Sequence, residues 1–153
     1  MNYGIRSVLS CLLLLVLAQG GRLGFAKSAP SMLVSTDWLA AHLKDANLVV
    51  LDIGNDRGAY LPGHIPGARN VFWVENLADT AIPVFKPAAA LRALYTAAGV
   101  PPGGKAIVCC HAGLQSSVDY FALKLAGFHP VLYAGSFSQW VSAPGAQVAT
   151  AGE

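Results

Sequence analysis

The stretch Ile107-Val108-Cys109-Cys110-His111-Ala112-Gly113-Leu114-Gln115-Ser116-Ser117 runs from a short apolar segment through a cysteine and a loop of small residues into the start of an amphipathic helix. A strand that hands over to a helix in this way aims loop N–H groups and a helix N-terminus at one sulfur atom. Both favour negative charge, so a thiolate, or a sulfur anion made from it, is stabilised there. Cysteine is also among the residues most often found in cores, and a buried thiol at a strand end is the plainer alternative.

Outward from that stretch, strands and helices alternate. Pro101-Pro102-Gly103-Gly104 forces a turn ahead of a strand at Ala106–Cys109. Before it, Pro87 suits the first position of a helix with Leu91, Leu94 and Tyr95 on one face, running to Ala98 and ended by Gly99. After the loop, a helix from Ser117 carries Phe121, Leu123, Leu125 and Ala126 and stops at Gly127. A strand at Val131–Tyr133 follows, then a short helix after Gly135 with Phe137 and Trp140, and a flexible tail over residues 143–153.

The first half of the chain repeats the pattern. Met32-Leu33-Val34 reads as a short edge strand, and Ser35 as the N-cap of a helix with Asp37 in its first turn and Leu39 and Leu43 on one face. Leu48-Val49-Val50-Leu51-Asp52-Ile53 is a nearly unbroken apolar run, the mark of a parallel strand covered on both faces. Asp52 is its polar exception, near the carboxyl end where open α/β sheets place their chemistry. Gly54 to Arg57 is a turn, and two Pro-Gly pairs between Tyr60 and Val71 specify a rigid loop. A short strand at Asn70–Trp73 and a surface loop from Glu75 to Phe85 complete the set. The sum is one α/β domain over residues 33–142, a mostly parallel sheet with helices on both faces.

The 153 residues have a mean hydropathy of +0.49 and 12 % charged residues, enough apolar material for a packed core. Residues 1–26 read as a signal peptide: Arg6 supplies a positive start, Val8 to Ala18 an apolar run too short to span a bilayer comfortably, and Gly24-Phe25-Ala26 a cleavage site after Ala26. An uncleaved anchor is the alternative. Cys11 does not suit a lipoprotein, because most of the apolar segment follows it. The expectation is an exported protein, periplasmic or secreted, with no membrane span after cleavage. Without Arg6 and Arg22, eight basic residues face eight acidic ones, and no clustered basic face argues for nucleic acid. Beyond Cys11 only Cys109 and Cys110 remain, and neighbours in sequence close only a strained, easily reduced ring. They are no disulfide framework, so a reactive thiol explains them better. No His/Cys spacing resembles a metal site.

Three stretches together resemble the rhodanese (thiosulfate sulfurtransferase) domain family. Tyr60-x-x-x-His64-Ile65-Pro66-Gly67-Ala68 matches its N-terminal signature throughout. The Cys110 loop lies between a strand and a helix as in the family. Tyr133-Ala134-Gly135-Ser136-Phe137-Ser138-Gln139-Trp140 is similar to its C-terminal signature, except for Gln139 where an acid is usual. The resemblance implies a five-stranded, mostly parallel sheet and a cysteine that carries a persulfide, with no metal or organic cofactor. It makes Cys110 the nucleophile, and strand alternation agrees by turning Cys109 into the core. It implies a sulfurtransferase moving sulfur from a small anion such as thiosulfate to cyanide or a thiol, with a protein sulfur acceptor also open. A non-turnover sulfur carrier or protein-docking module is the alternative. The loop from Cys110 to Gln115 has six members, which in this family goes with sulfur transfer, whereas the related phosphatases have one more.

Backbone amides from His111, Ala112, Gly113, Leu114, Gln115 and Ser116 would cradle the sulfur anion. The chain departs from the family in its charges. His111 and Gln115 stand where arginine is frequent, Asp52-Ile53-Gly54 replaces an Asp-x-Arg, and Ala59 stands where an acid is common. A less cationic pocket holds a dianion less tightly. Arg57 and Arg69 are candidate anion contacts or solvated surface residues. Asp52 either anchors loop amides or caps its strand, and His111 either tunes the thiolate or faces solvent. His64 suits a structural hydrogen-bonding role better than a catalytic one. Trp38, Trp73 and Trp140 are most simply core or rim.

Overall fold

A computed structural model describes residues 31–55, 57–78 and 83–150, within a compact unit spanning Ser31–Glu153. The expected signal peptide lies outside the described residues. In chain order the elements are α1 (Thr36–His42), β1 (Leu48–Gly54), β2 (Arg69–Phe72), a 3-10 turn (Trp73–Asn76), α2 (Ala88–Ala97), β3 (Lys105–Cys109), α3 (Ser116–Leu125), β4 (Val131–Leu132) and α4 (Ser136–Trp140).

Four parallel strands form one sheet in the order β2-β1-β3-β4. The chain leaves β1 toward one edge and β3 toward the other, so the strand order reverses between β1 and β3. Open parallel sheets bind their ligands outside the carboxyl ends of such a pair. The expected fifth strand is reduced to a bridge between Leu33 and Leu132. Val34 N–H donates to Leu132 O at 3.1 Å and Leu132 N–H to Met32 O at 2.8 Å. Met32 and Leu33 are 62 % and 53 % exposed, and an edge segment this short has too little to bury for a longer ladder.

Alternation along the strands divides the core. Leu51, Ile53 and Val108 pack with Leu91, Tyr95, Leu123 and Phe128 from α2, α3 and the α3–β4 turn. Val50, Ile107 and Cys109 turn the other way, toward Leu39 of α1 and Tyr133 and Trp140 near α4. Ser35 caps α1 as its sequence indicates, its hydroxyl accepting from Trp38 N–H at 3.2 Å. Pro87 occupies the cap of α2 rather than its first turn, and α3 starts at Ser116, one residue earlier than expected. The inner face of α3 is Ser116, Asp119, Ala122 and Leu123, which leaves Phe121 and Leu125 about half exposed.

The segment after residue 143, expected to be flexible, is tied down as far as Ala149. His64 and Ala149 exchange backbone hydrogen bonds at 2.9 and 3.0 Å, and Trp140 Nε1–H donates to Gln147 O at 2.7 Å. Small polar residues hide this from a composition argument, because the bonds are made by backbone.

Candidate active site

Two carboxyl ends meet at the site. β3 ends at Cys109, and the chain then turns through residues 110–115 into α3. The two cysteines part at this corner. The Cys109 thiol is fully buried and points its hydrogen at Leu51 O, 3.5 Å away. Burial, then the negative charges of Asp52 and Cys110, raises its pKa well above the ordinary thiol value. It is a core thiol.

Cys110 is nearly as buried, 2 % exposed, but its sulfur sits among donors. Burial of its sulfur by itself raises the pKa. The Ser116 N–H and hydroxyl and the N–H groups of Ala112 and Gln115 outweigh that and hold it below the ordinary 9.0. Gly113 N–H also donates to Sγ, at 2.9 Å. The Ser116 hydroxyl has a single hydrogen and lies 3.0 Å from Gly113 O, so it serves the loop carbonyl or the sulfur by a small rotation. A ring of donors with no cation among them thus stabilises the thiolate, as backbone nests stabilise anions generally. Leu114, at the loop tip, is 84 % exposed, and only its backbone takes part in shaping the ring.

The loop is held open by its neighbour α4. Cys110 N–H donates to Ser136 Oγ at 3.1 Å, and Cys110 O accepts from Phe137 N–H at 3.0 Å. His111 O accepts from both Ser138 N–H at 3.0 Å and Ser138 Oγ at 2.7 Å. Ser136 has a φ of +53°, and its hydroxyl also lies 3.1 Å from Tyr133 O and 3.9 Å from Cys110 Sγ. Gly113 is required where it is: its φ is +88°, and a Cβ there would stand 2.5 Å from Ala134 O. Ser136 and Ser138 were legible only as members of the C-terminal signature; nothing local marks either as a partner of residues 110 and 111.

Beside the loop opens a cleft of about 320 Å³, walled by Asp52, Tyr60, Asn70, His111, Gln115 and Phe137 among others. Asn70 and Asp52 are register partners, as are Asp52 and Cys109, so the three form one row across the sheet. Burial raises the Asp52 carboxyl to about 6. The Asn70 amide donates to Asp52 O at 3.1 Å. Tyr60 stacks on His64 with centroids 3.8 Å apart, its hydroxyl donates to Ala68 O at 2.7 Å, and its carbonyl meets His64 Nδ1 at 3.0 Å. His64 therefore braces the signature loop.

The sequence candidates sort as follows. Cys110, the backbone of Ala112 to Ser116, His111, Gln115 and Asp52 are brought together. Arg57 lies exposed on the loop bordering the cleft, close enough for its charge to lower the Tyr60 pKa against the raising effects of burial and Asp52. Arg69 is elsewhere. It opens β2 directly before Asn70 of the cleft wall, but alternation along the strand turns its side chain to the other face of the sheet, where it donates to Ala98 O at 2.9 Å over Gly99. Its place as an anion contact is corrected to a cap on the end of α2. Among the described residues no cluster of His, Cys, Asp and Glu is arranged to hold a metal ion.

A match to the rhodanese-like domain covers residues 35–143. A putative thiosulfate sulfurtransferase of Haloferax volcanii is 40 % identical over 88 residues, 56 % of this chain and 30 % of that protein. The sulfur carrier protein TtuD of Thermus thermophilus is 37 % identical over 94 residues, 60 % of this chain and 32 % of its own length. This chain thus spans about a third of the length of either relative. Among solved structures, SseA from Escherichia coli, described as having the rhodanese fold, superimposes with a TM-score of 0.61 at 23 % identity, over 80 % of this chain and 54 % of SseA. With the sheet order, the signature loops and the sulfur cradle in place, the chain belongs to the rhodanese-like domain family.

Proposed function

We propose that this protein is a sulfurtransferase that works through a persulfide on Cys110, taking a sulfane sulfur from a donor such as thiosulfate and passing it to cyanide or a thiol. The observation that carries the reading is the ring of donors around Cys110 Sγ, which lowers its pKa without any cation. The Cys110 thiolate attacks the outer sulfur of thiosulfate; an S–S bond forms, the donor's S–S bond breaks, and sulfite leaves with the electron pair. The same amides then face the persulfide anion. An acceptor anion attacks the outer sulfur, and Cys110 departs as the thiolate it was at the start. Relatives carrying sulfurtransferase names support this chemistry.

The likeness to a named sulfur carrier supports a second reading, in which another protein supplies and receives the sulfur. Intact mass after incubation with thiosulfate separates the two. A gain of one sulfur, removed by cyanide and absent in Cys110→Ser, supports turnover of small donors. No gain from thiosulfate, with a gain from a persulfidated protein, favours the carrier. No gain from any donor overturns both. Export is part of the proposal, resting on Arg6 and the apolar run that follows it. Appearance of the chain in a periplasmic or secreted fraction, cut after Ala26, would support it; a full-length chain in the cytoplasm would not.

A further inference from the structure

The cleft beside Cys110 carries an unusual balance of charge for a site that handles sulfur anions. Among the described residues no lysine or arginine lines it, and its one carboxylate is that of Asp52. Next to Asp52 in the sheet register stands Asn70. Its amide nitrogen donates to Asp52 O at 3.1 Å, which fixes the amide orientation, since a flip would set two carbonyl oxygens against each other. The Asn70 Oδ1 is therefore an oriented oxygen, shielded from water, with no donor bound to it. Its partial negative charge adds to that of Asp52. The Tyr60 hydroxyl is turned away to Ala68 O, so it offers no proton to an anion in the cleft. Against these stand Arg57, exposed on the bordering loop, and His111 in the cleft wall, its ring 6.2 Å from the ring of Phe137.

The two halves of the site thus have opposite preferences. The amide ring around Cys110 suits a small negative sulfur, and the cleft next to it suits positive charge or hydrogen-bond donors. A thiol with an ammonium group a few bonds away presents both at once. Taking the persulfide reading of Cys110 as its basis, we propose that the acceptor is an amine-bearing thiol, its ammonium group held toward Asp52 in the cleft, and that thiols carrying a carboxylate or sulfonate there are discriminated against. In the transfer the acceptor thiol first loses its proton to solvent. Its thiolate attacks the outer sulfur of the Cys110 persulfide, a new S–S bond forms on the acceptor, and the Cys110 S–S bond breaks with its electron pair returning to Cys110. The ammonium group takes no part in the bond changes; it positions the acceptor.

The test uses the full chain loaded with sulfur by inorganic polysulfide, with single-turnover rates for cysteamine and 3-mercaptopropionate. The rate ratio of the two is compared between wild type and variants, which cancels the intrinsic reactivity of each thiol. Asp52→Asn is expected to lower the ratio by about tenfold, the scale of one partly shielded unit charge. Ala59→Lys, on an exposed residue of the cleft wall, should lower it in the same direction and stands in if the Asp52 variant does not fold. A ratio unchanged within about twofold in the folded variants overturns the proposal. A second readout needs no sulfur transfer: the capping rate of the Cys110 thiol by 2-aminoethyl against 2-sulfonatoethyl methanethiosulfonate. If capping shows the charge preference and its loss in the variants while no donor loads Cys110, the charge selection stands and the sulfurtransferase reading falls. If sulfur loads and moves but neither ratio responds, the reverse holds.

Discussion

The backbone N–H of Cys110 is held by the hydroxyl of Ser136, 26 residues downstream, at 3.1 Å. Through this bond the end of β3 and the start of α4 set the position of the sulfur together. Ser136 keeps a φ of +53° to do so, a conformation that costs a side-chain-bearing residue about 1 kcal/mol. Ser136→Ala keeps that cost and removes the acceptor from a buried N–H. A loss of roughly 1–3 kcal/mol in urea unfolding is expected, with a slower alkylation of Cys110. Ser136→Gly relieves the backbone while still removing the acceptor, so it should fall between wild type and Ser136→Ala in stability, with Cys110 as slow as in the alanine variant.

Gly113→Ala should be more damaging than its size suggests. The new methyl would meet Ala134 O at 2.5 Å, and the φ of +88° disfavours any side chain. The loop must pull away from the 133–136 turn, taking the Gly113 N–H from the sulfur. The expected result is a destabilisation of about 2 kcal/mol or more and a Cys110 pKa moved back up, read from the pH dependence of iodoacetamide alkylation.

The two cysteines should differ in reactivity by more than sequence adjacency suggests. Iodoacetamide on the native chain is expected to label Cys110, with a midpoint below the ordinary 9.0, and to spare Cys109 until the chain unfolds. Peptide mapping of the labelled chain checks this. Labelling of Cys109 first would contradict the assignment of the nucleophile.

Arg69→Met should separate an anion contact from a helix cap. Its guanidinium donates to Ala98 O at 2.9 Å, on the opposite face of the sheet from the cleft-lining Asn70 side chain, and the bond is solvent-exposed. A stability loss of about 0.5–1.5 kcal/mol is expected, with sulfur loading of Cys110 unchanged. A fall in loading without a fall in stability would return Arg69 to the site.

Asp119 makes stability depend on pH in a stated direction. It is fully buried on α3; its Oδ1 accepts from Tyr95 at 2.8 Å and Asn76 at 3.0 Å, and its Oδ2 has no partner. Burial outweighs those bonds and raises its pKa from 3.8 to about 6. The folded chain therefore holds this proton more tightly than the unfolded one. That share of stability is complete below 3.8 and is lost as pH rises through about 6. Asp119→Asn removes the dependence. Relative to wild type, the variant should gain on the order of 2 kcal/mol between about pH 4 and pH 7.5, measured by urea unfolding at each.

Much of this architecture is legible in the chain. The apolar run at Leu48–Ile53, the turn at Pro101–Gly104 and the cap at Ser35 are local signals, and each produced the element it indicates. The parting of Cys109 from Cys110 follows from alternation along β3. What stayed hidden depends on partners distant in sequence. Asp119 looks like an ordinary first-turn acid until Tyr95 and Asn76 close over it. Arg69 looks like an anion contact until the end of α2 arrives beneath it. Ala149 looks like tail until its backbone pairs with His64.

The corner between Cys109 and Cys110 has a last consequence, for timing. Their thiols leave the strand end toward different sides, one locked against Leu51 O and one inside the amide ring. Joining them would demand a strained vicinal ring and the loss of both settings. Among the described residues there is therefore no internal thiol to resolve a sulfur parked on Cys110. On the persulfide chemistry proposed above, such a chain would act as a clock set by its surroundings: the charged state would last until a second molecule arrives, and its lifetime would measure the supply of acceptor.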